Sequence, residues 1–250
     1  MRNTTKKIAL ALLACSSFCM AETVVFQQEL NGYHGVRDGM LKGAREDMKA
    51  AGYWGGDTLD ISGMPQGGFF SMGLIRFDDM FGTGPGKIPP GSMITSATLE
   101  LYKTGDPGKG EGPFEKTQVQ NRFIYLYEML TPFHAGRPDE EADHSSTFSY
   151  RLNDTANPQF WGNRNRLETG PVKEVDYNPV SKMRIPLEFG TVETWYSVNL
   201  TELADRWSQG EKNFGLYLMA KGFWIGAQFA SSQHLDQTLR PKLTIEYSKP

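Results

Sequence analysis

The sequence predicts an all-β protein, an antiparallel β-sandwich of jelly-roll type with one short helical turn, and three observations carry that reading. First, apolar and polar residues alternate over short stretches. In Leu74-Ile75-Arg76-Phe77-Asp78, Ile75 and Phe77 fall on one face and Arg76 and Asp78 on the other; from Ser96 to Tyr102, Leu99 and Leu101 alternate with Thr98, Glu100 and Tyr102. Second, the residues between these strands, Gly82, Gly84, Pro85, Gly86, Pro89, Pro90 and Gly91, exclude regular structure, because glycine favours turns and proline removes a backbone donor. Third, 27 glycines and 14 prolines with 12% aromatic residues suit a chain of many short strands better than a helical one. Such a sandwich needs roughly ten strands, with its loops gathered at the two ends.

Taken in order, the first residues read as a signal peptide. Arg2, Lys6 and Lys7 make a positive start, Ile8 to Ala14 an apolar run too short to span a bilayer, and Cys19-Met20-Ala21 a small-residue exit. The expected destination is therefore the secreted, periplasmic or cell-surface space. Cleavage after Ala21 leaves a cysteine-free chain suited to an oxidising compartment, and lipidation of Cys15, within a Leu12-Leu13-Ala14-Cys15 run that resembles a bacterial lipobox, is the other route. Residues 22–250 then form one domain with no transmembrane segment. A formal net charge of -3 and the lack of any basic run argue against nucleic acid as a partner.

Val24 to Gln28 reads as the first strand, followed by a glycine-bearing turn and a second strand near Val36 to Asp38. Leu41, Ala44, Met48 and Ala51 have the spacing of a short amphipathic helical turn. Phe123, Tyr125 and Tyr127 share one face of a strand whose other face carries Ile124 and Leu126, so that strand is central. Leu200, Leu203, Ala204 and Trp207 lie at helical spacing, with Asn199 and Glu202 as a capping pair and Gly210 as the stop, which puts Trp207 in the core.

Several of these stretches resemble one family. Ile75-Arg76-Phe77-Asp78 followed by Ile88 to Tyr102, the Asn31, Gly32, Tyr33, Gly35 and Asp38 element, Asn213 to Leu218, and Phe229 to Ser232 with Arg240 to Tyr247 are similar to the motifs of DNRLRE-domain proteins. Those are secreted and surface β-sandwich modules of bacteria and archaea, related to a family of carbohydrate-binding modules. Ser146 to Arg151 with Trp161 resembles a further element, although Phe148 stands where that family has tryptophan. The resemblance spans nearly all of residues 22–250 and implies a non-catalytic module that binds polysaccharide.

The residues offer chemistry for that expectation. Tyr53, Trp54, Trp161 and Trp224 are candidates for stacking on sugar rings, each with a packing role as its alternative, and Arg164, Arg166 and Lys221 can pair carboxylates if the glycan is acidic. Asp38, Asp57 and Asp60 are candidate ligands for a structural calcium ion, which takes hard oxygen donors, whereas Asp78 and Asp79 read as a strand end. No GxSxG, HExxH, CxxC, Walker or EF-hand motif is present, and His34, His134, His144 and His234 are scattered. Two rival classes remain: a structural adhesion or matrix protein contacting protein partners, and a polysaccharide hydrolase or lyase. The latter would draw on Glu140-Glu141 or Asp139 and Asp143 as acid and base, or on Tyr150 and His144 beside Arg151.

Overall fold

A computed structural model describes residues 21–43, 53–63, 70–106, 122–136, 145–154, 156–163, 170–188, 191–221 and 225–250. In chain order the strands are β1 (Glu22–Gln27), β2 (Val36–Gly43), β3 (Tyr53–Trp54), β4 (Thr58–Ser62), β5 (Phe70–Phe77), β6 (Met93–Gly105) and β7 (Phe123–Met129). Next come β8 (Tyr150–Leu152), β9 (Gln159–Phe160), β10 (Tyr177–Pro186), β11 (Thr194–Asn199), the helix α1 (Thr201–Ser208), β12 (Leu216–Ala220), β13 (Gly226–Ala230) and β14 (Lys242–Ser248).

Every pairing between these strands is antiparallel. One layer is built on β1, β14, β6 and β11; the other runs β2, β5, β12, β7 and β10. The strands β13 and β4 bridge them, β13 pairing with the end of β6 and β4 touching β5 only at Ser62 opposite Ser71. The sheet thus curls over itself, as expected for an all-β sandwich. β7 is central, with β12 on one side and β10 on the other.

The period-two alternation places the core. Ala97, Leu99, Leu101, Leu243 and Ile245 from one layer meet Ile75, Phe77, Ile124, Leu126, Leu216 and Leu218 from the other. The helix adds Leu203, Ala204 and Trp207 to this core, as its spacing predicts. Its expected capping pair is corrected: Leu200 holds the cap position without a side-chain bond, and Asn199 accepts instead from the Thr201 amide at 2.8 Å. Side chains of α1 serve β6 where its ladder with β14 is irregular, Asp205 accepting from Ile94 N and Thr201 from Ala97 N. The amphipathic turn expected near residues 41–51 begins instead as strand, because Leu41 to Gly43 continue β2; positions 44–52 lie outside the described residues.

A second apolar cluster lies on the outer face of β5, β7 and β12. Met72, Leu74, Tyr127, Met129 and Tyr217 point away from the main core and are covered by Phe133, Phe148 and Trp161. Alternation on β7 and β12 therefore buries both faces at this end of the layer.

Candidate functional site

The tryptophans expected to face a sugar hold this covering layer in place. Trp161 is 1% exposed, and its indole N–H donates to the Thr147 carbonyl at 2.8 Å. Trp54 donates from its indole N–H to the neighbouring Ser146 carbonyl at 2.9 Å and stacks on Phe133 with centroids 5.9 Å apart. Gly39 and Gly136 let that ring lie against backbone, since a Cβ on them would stand 2.2 Å and 2.8 Å from Trp54 atoms. Arg76 lies over Phe133 at 4.8 Å and donates to its carbonyl, completing an Arg76–Phe133–Trp54 stack. Two adjacent carbonyls thus anchor two indoles. Neither offers a free ring face, which corrects the expectation for Trp54 and Trp161. Tyr53, half-buried, packs against the main core with Lys42 over its ring at 4.3 Å. Trp224, Arg164 and Arg166, along with Cys15 and residues 137–144, lie outside the described residues.

The calcium expectation is also corrected. Asp38 is buried, and its two carboxylate oxygens accept from the Ser232 amide and hydroxyl at 2.7 Å each. Asp60 accepts from Gln228 at 2.8 Å, and Asp57 is exposed on the loop before β4. Among the described residues no group of three or more His, Cys, Asp or Glu side chains is placed to hold a metal ion.

Lys221 is the candidate that the structure sets over a row of rings, one end of which is half-exposed. Across β12, β7 and β10 a ladder of aromatic rings runs Phe123, Tyr125, Tyr127, Tyr177 and Tyr217, with successive centroids 6.0, 6.3, 5.0 and 5.1 Å apart. Its Tyr127 and Tyr217 end is buried, whereas Phe123 and Tyr125 are half-exposed. In the antiparallel register Lys182 lies opposite Tyr127 and Arg184 opposite Tyr125, so both cations stand on the ring-bearing face while Met183 and Ile185 turn to the core. Lys182 lies 4.7 Å from the Tyr125 centroid, Arg184 4.8 Å from Phe123, and Lys221 5.2 Å from both Tyr125 and Tyr127. All three cations are exposed, and none forms an ion pair among the described residues.

Among the described residues, the charged side chains placed over these rings are all cations. The Tyr127 hydroxyl is buried, and the Lys221 ammonium is pushed above its ordinary pKa, chiefly by its approach to that phenol. Burial raises the Tyr177 and Tyr217 phenols, which keeps them neutral. The face therefore carries three positive charges over aromatic rings, an arrangement complementary to an anion-bearing ligand with flat apolar surfaces.

Acid–base chemistry is not assembled at the described positions the sequence offered. Tyr150 packs on Phe160 at 4.9 Å and Arg151 donates to Gln159. Burial lowers the His134 pKa, and Arg151 and Arg76 lower it further. A cavity near β1 does hold Tyr33, His34 and Asp79 in its lining. There the Tyr33 hydroxyl donates to the Asp78 carbonyl and is raised by burial, while Asp79 sits 3.8 Å from Lys87.

No protein-family model matches the chain, and no curated protein aligns with it at significance. Among the described residues no helix is long and apolar enough to cross a membrane.

Proposed function

We propose that this protein is a non-catalytic polysaccharide-binding module, exported in the manner its first 21 residues suggest and related in design to the DNRLRE-domain sandwiches. The observation that carries the reading is the row of Lys182, Arg184 and Lys221 above Phe123 and Tyr125. Rings stack on the C–H faces of sugars, and unpaired cations meet carboxylate or sulfate groups, so the ligand is an acidic glycan. The recognising surface is thus a sheet face rather than the loop aromatics.

Affinity electrophoresis through gels containing acidic or neutral polysaccharides tests this directly. Retention is expected in acidic glycans and is expected to weaken as salt screens the exposed cations. Tyr125→Ala and Lys221→Ala should each weaken binding about tenfold, which corresponds to ~1.4 kcal/mol, and the exposed Lys221→Ala should do so with unchanged thermal unfolding. Absence of retention in every acidic glycan, or retention indifferent to both substitutions, would reject the reading. Release of unsaturated uronates or reducing ends from any of these glycans would instead establish the enzyme class.

A further inference from the structure

Of the described tryptophans, Trp54, Trp161 and Trp207 belong to or pack on the two apolar clusters, and Trp195 does neither. The register of β11 explains the difference. It pairs with β6 from Thr194 opposite Lys103 to Asn199 opposite Thr98, and because Tyr196 and Val198 turn to the main core, Trp195, Ser197 and Asn199 point out of the layer. Opposite them on β6 stand Tyr102, Glu100 and Thr98, and β14 adds Lys242 beside Glu100 and Thr244 beside Thr98. The outer face thus carries three cross-strand rows about 7 Å apart. Trp195 and Tyr102 form the first, Lys242, Glu100 and Ser197 the second, and Thr244, Thr98 and Asn199 the third.

The first row is a platform of two half-exposed rings, 5.2 Å apart and meeting edge to face. The Lys242 ammonium lies 4.3 Å from the Trp195 centroid and pairs with Glu100 at 3.3 Å, so its charge is balanced within the second row. Among the described residues the Trp195 indole N–H and the hydroxyls of Thr98, Ser197 and Thr244 have no hydrogen-bond partner. Asn199 accepts from the Thr201 amide through its side-chain carbonyl, which leaves its NH2 group to donate.

These rows select a ligand. A balanced ion pair gives an acidic chain no advantage. An aromatic anchor for a protein partner sits in an apolar, desolvated surround, and the three rows hold no aliphatic side chain. Rings followed at regular intervals by hydroxyl and amide groups match a chain that presents C–H faces and hydroxyls in repeat. We propose that this face binds a neutral polysaccharide lying along β6, with one sugar stacked on Trp195 and the sugars beyond it hydrogen-bonded to the second and third rows. It is the outer face of the layer opposite the one that carries Tyr125 and Lys221, so the two surfaces point away from each other and one molecule can bridge two glycan chains.

Affinity electrophoresis of the full-length chain through gels of hydroxyethylcellulose, xyloglucan or galactomannan tests this second face. Retention is expected in at least one of them and should persist at high salt, because the contact is uncharged. Trp195→Ala should weaken it by at least about tenfold and Trp195→Phe, which keeps a ring, by less. Tyr125→Ala and Lys221→Ala should leave it unchanged. In the wild type the retaining polysaccharide should shield an indole from acrylamide quenching, and Trp195→Phe should remove that shielding. No retention in any of the three gels, retention indifferent to Trp195→Ala, or a wild type whose indoles gain no shielding overturns the proposal; the last holds even where a variant does not fold. Acidic-glycan retention and its dependence on Tyr125 and Lys221 are read in separate gels, so the two faces fail independently.

Discussion

Trp161→Ala is expected to destabilise the protein by about 3–5 kcal/mol, the usual cost of removing a large aromatic from a packed interior. The indole is 1% exposed, among Phe133, Phe148, Met72 and Tyr217 of the second cluster, and its truncation also strips the Thr147 carbonyl of its donor. Urea titration should show a large fall in midpoint, with Trp161→Phe recovering part of the packing but not the hydrogen bond. The measurement separates two roles for one residue. A ligand-stacking tryptophan would leave the midpoint near wild type and abolish glycan retention, whereas an anchoring one lowers the midpoint and leaves retention intact wherever the variant is folded. An unchanged midpoint would refute the anchoring role. Gly39→Ala should act on the same layer by a different route, since the Cβ it adds would overlap the Trp54 ring.

The motifs most readable in the sequence turn out to hold the fold together, while the candidate site has no motif. Residues quoted from distant parts of the chain converge in one latch. Asp38 binds Ser232; Arg240 pairs with Glu29 at 2.7 Å and donates to the His234 carbonyl; Tyr33 donates to the Asp78 carbonyl; and Arg76 pairs with Asp78 at 2.5 Å. Gly35 is held within this latch, its carbonyl accepting from Asp78 N, and a Cβ there would meet the Asp78 carbonyl oxygen at 2.4 Å. Such residues stand out because each satisfies a specific hydrogen bond or close approach.

The candidate face is written more quietly. Phe123, Tyr125 and Tyr127 are legible as one side of a strand, but apolar character on both sides reads only as burial, and which end of the row stays open depends on how far the covering segment reaches. Lys182-Met183-Arg184-Ile185 does alternate cation with core residue, a signal that marks a one-sided basic strand but is less conspicuous than the tryptophans. Tryptophan misled for a physical reason. Its area favours burial wherever its N–H finds an acceptor, and the carbonyls of Ser146 and Thr147 supply two in succession.

The same latch makes stability depend on pH through Asp38. Its carboxyl is buried, and burial raises its pKa from 3.8 to about 6, opposed by the two hydrogen bonds from Ser232 and by the charge of Arg240. The folded protein therefore takes up this proton more readily than the unfolded chain. Stability contributed by Asp38 is complete below pH 4, falls as the pH rises toward about 6, and is level above it. A difference of about two pKa units corresponds to ~3 kcal/mol across that window. Asp38→Asn keeps an acceptor for Ser232 and removes the charge, so its stability relative to wild type should improve by up to that amount between pH 4 and pH 7. Using the difference cancels the carboxylates common to both proteins. Asp38→Ala should instead be destabilised at every pH by about 1–3 kcal/mol, because the Ser232 amide loses its acceptor in a buried setting. Parallel curves for wild type and Asp38→Asn across this range would show that the buried carboxyl titrates at its ordinary value and that the Ser232 bonds and Arg240 outweigh burial.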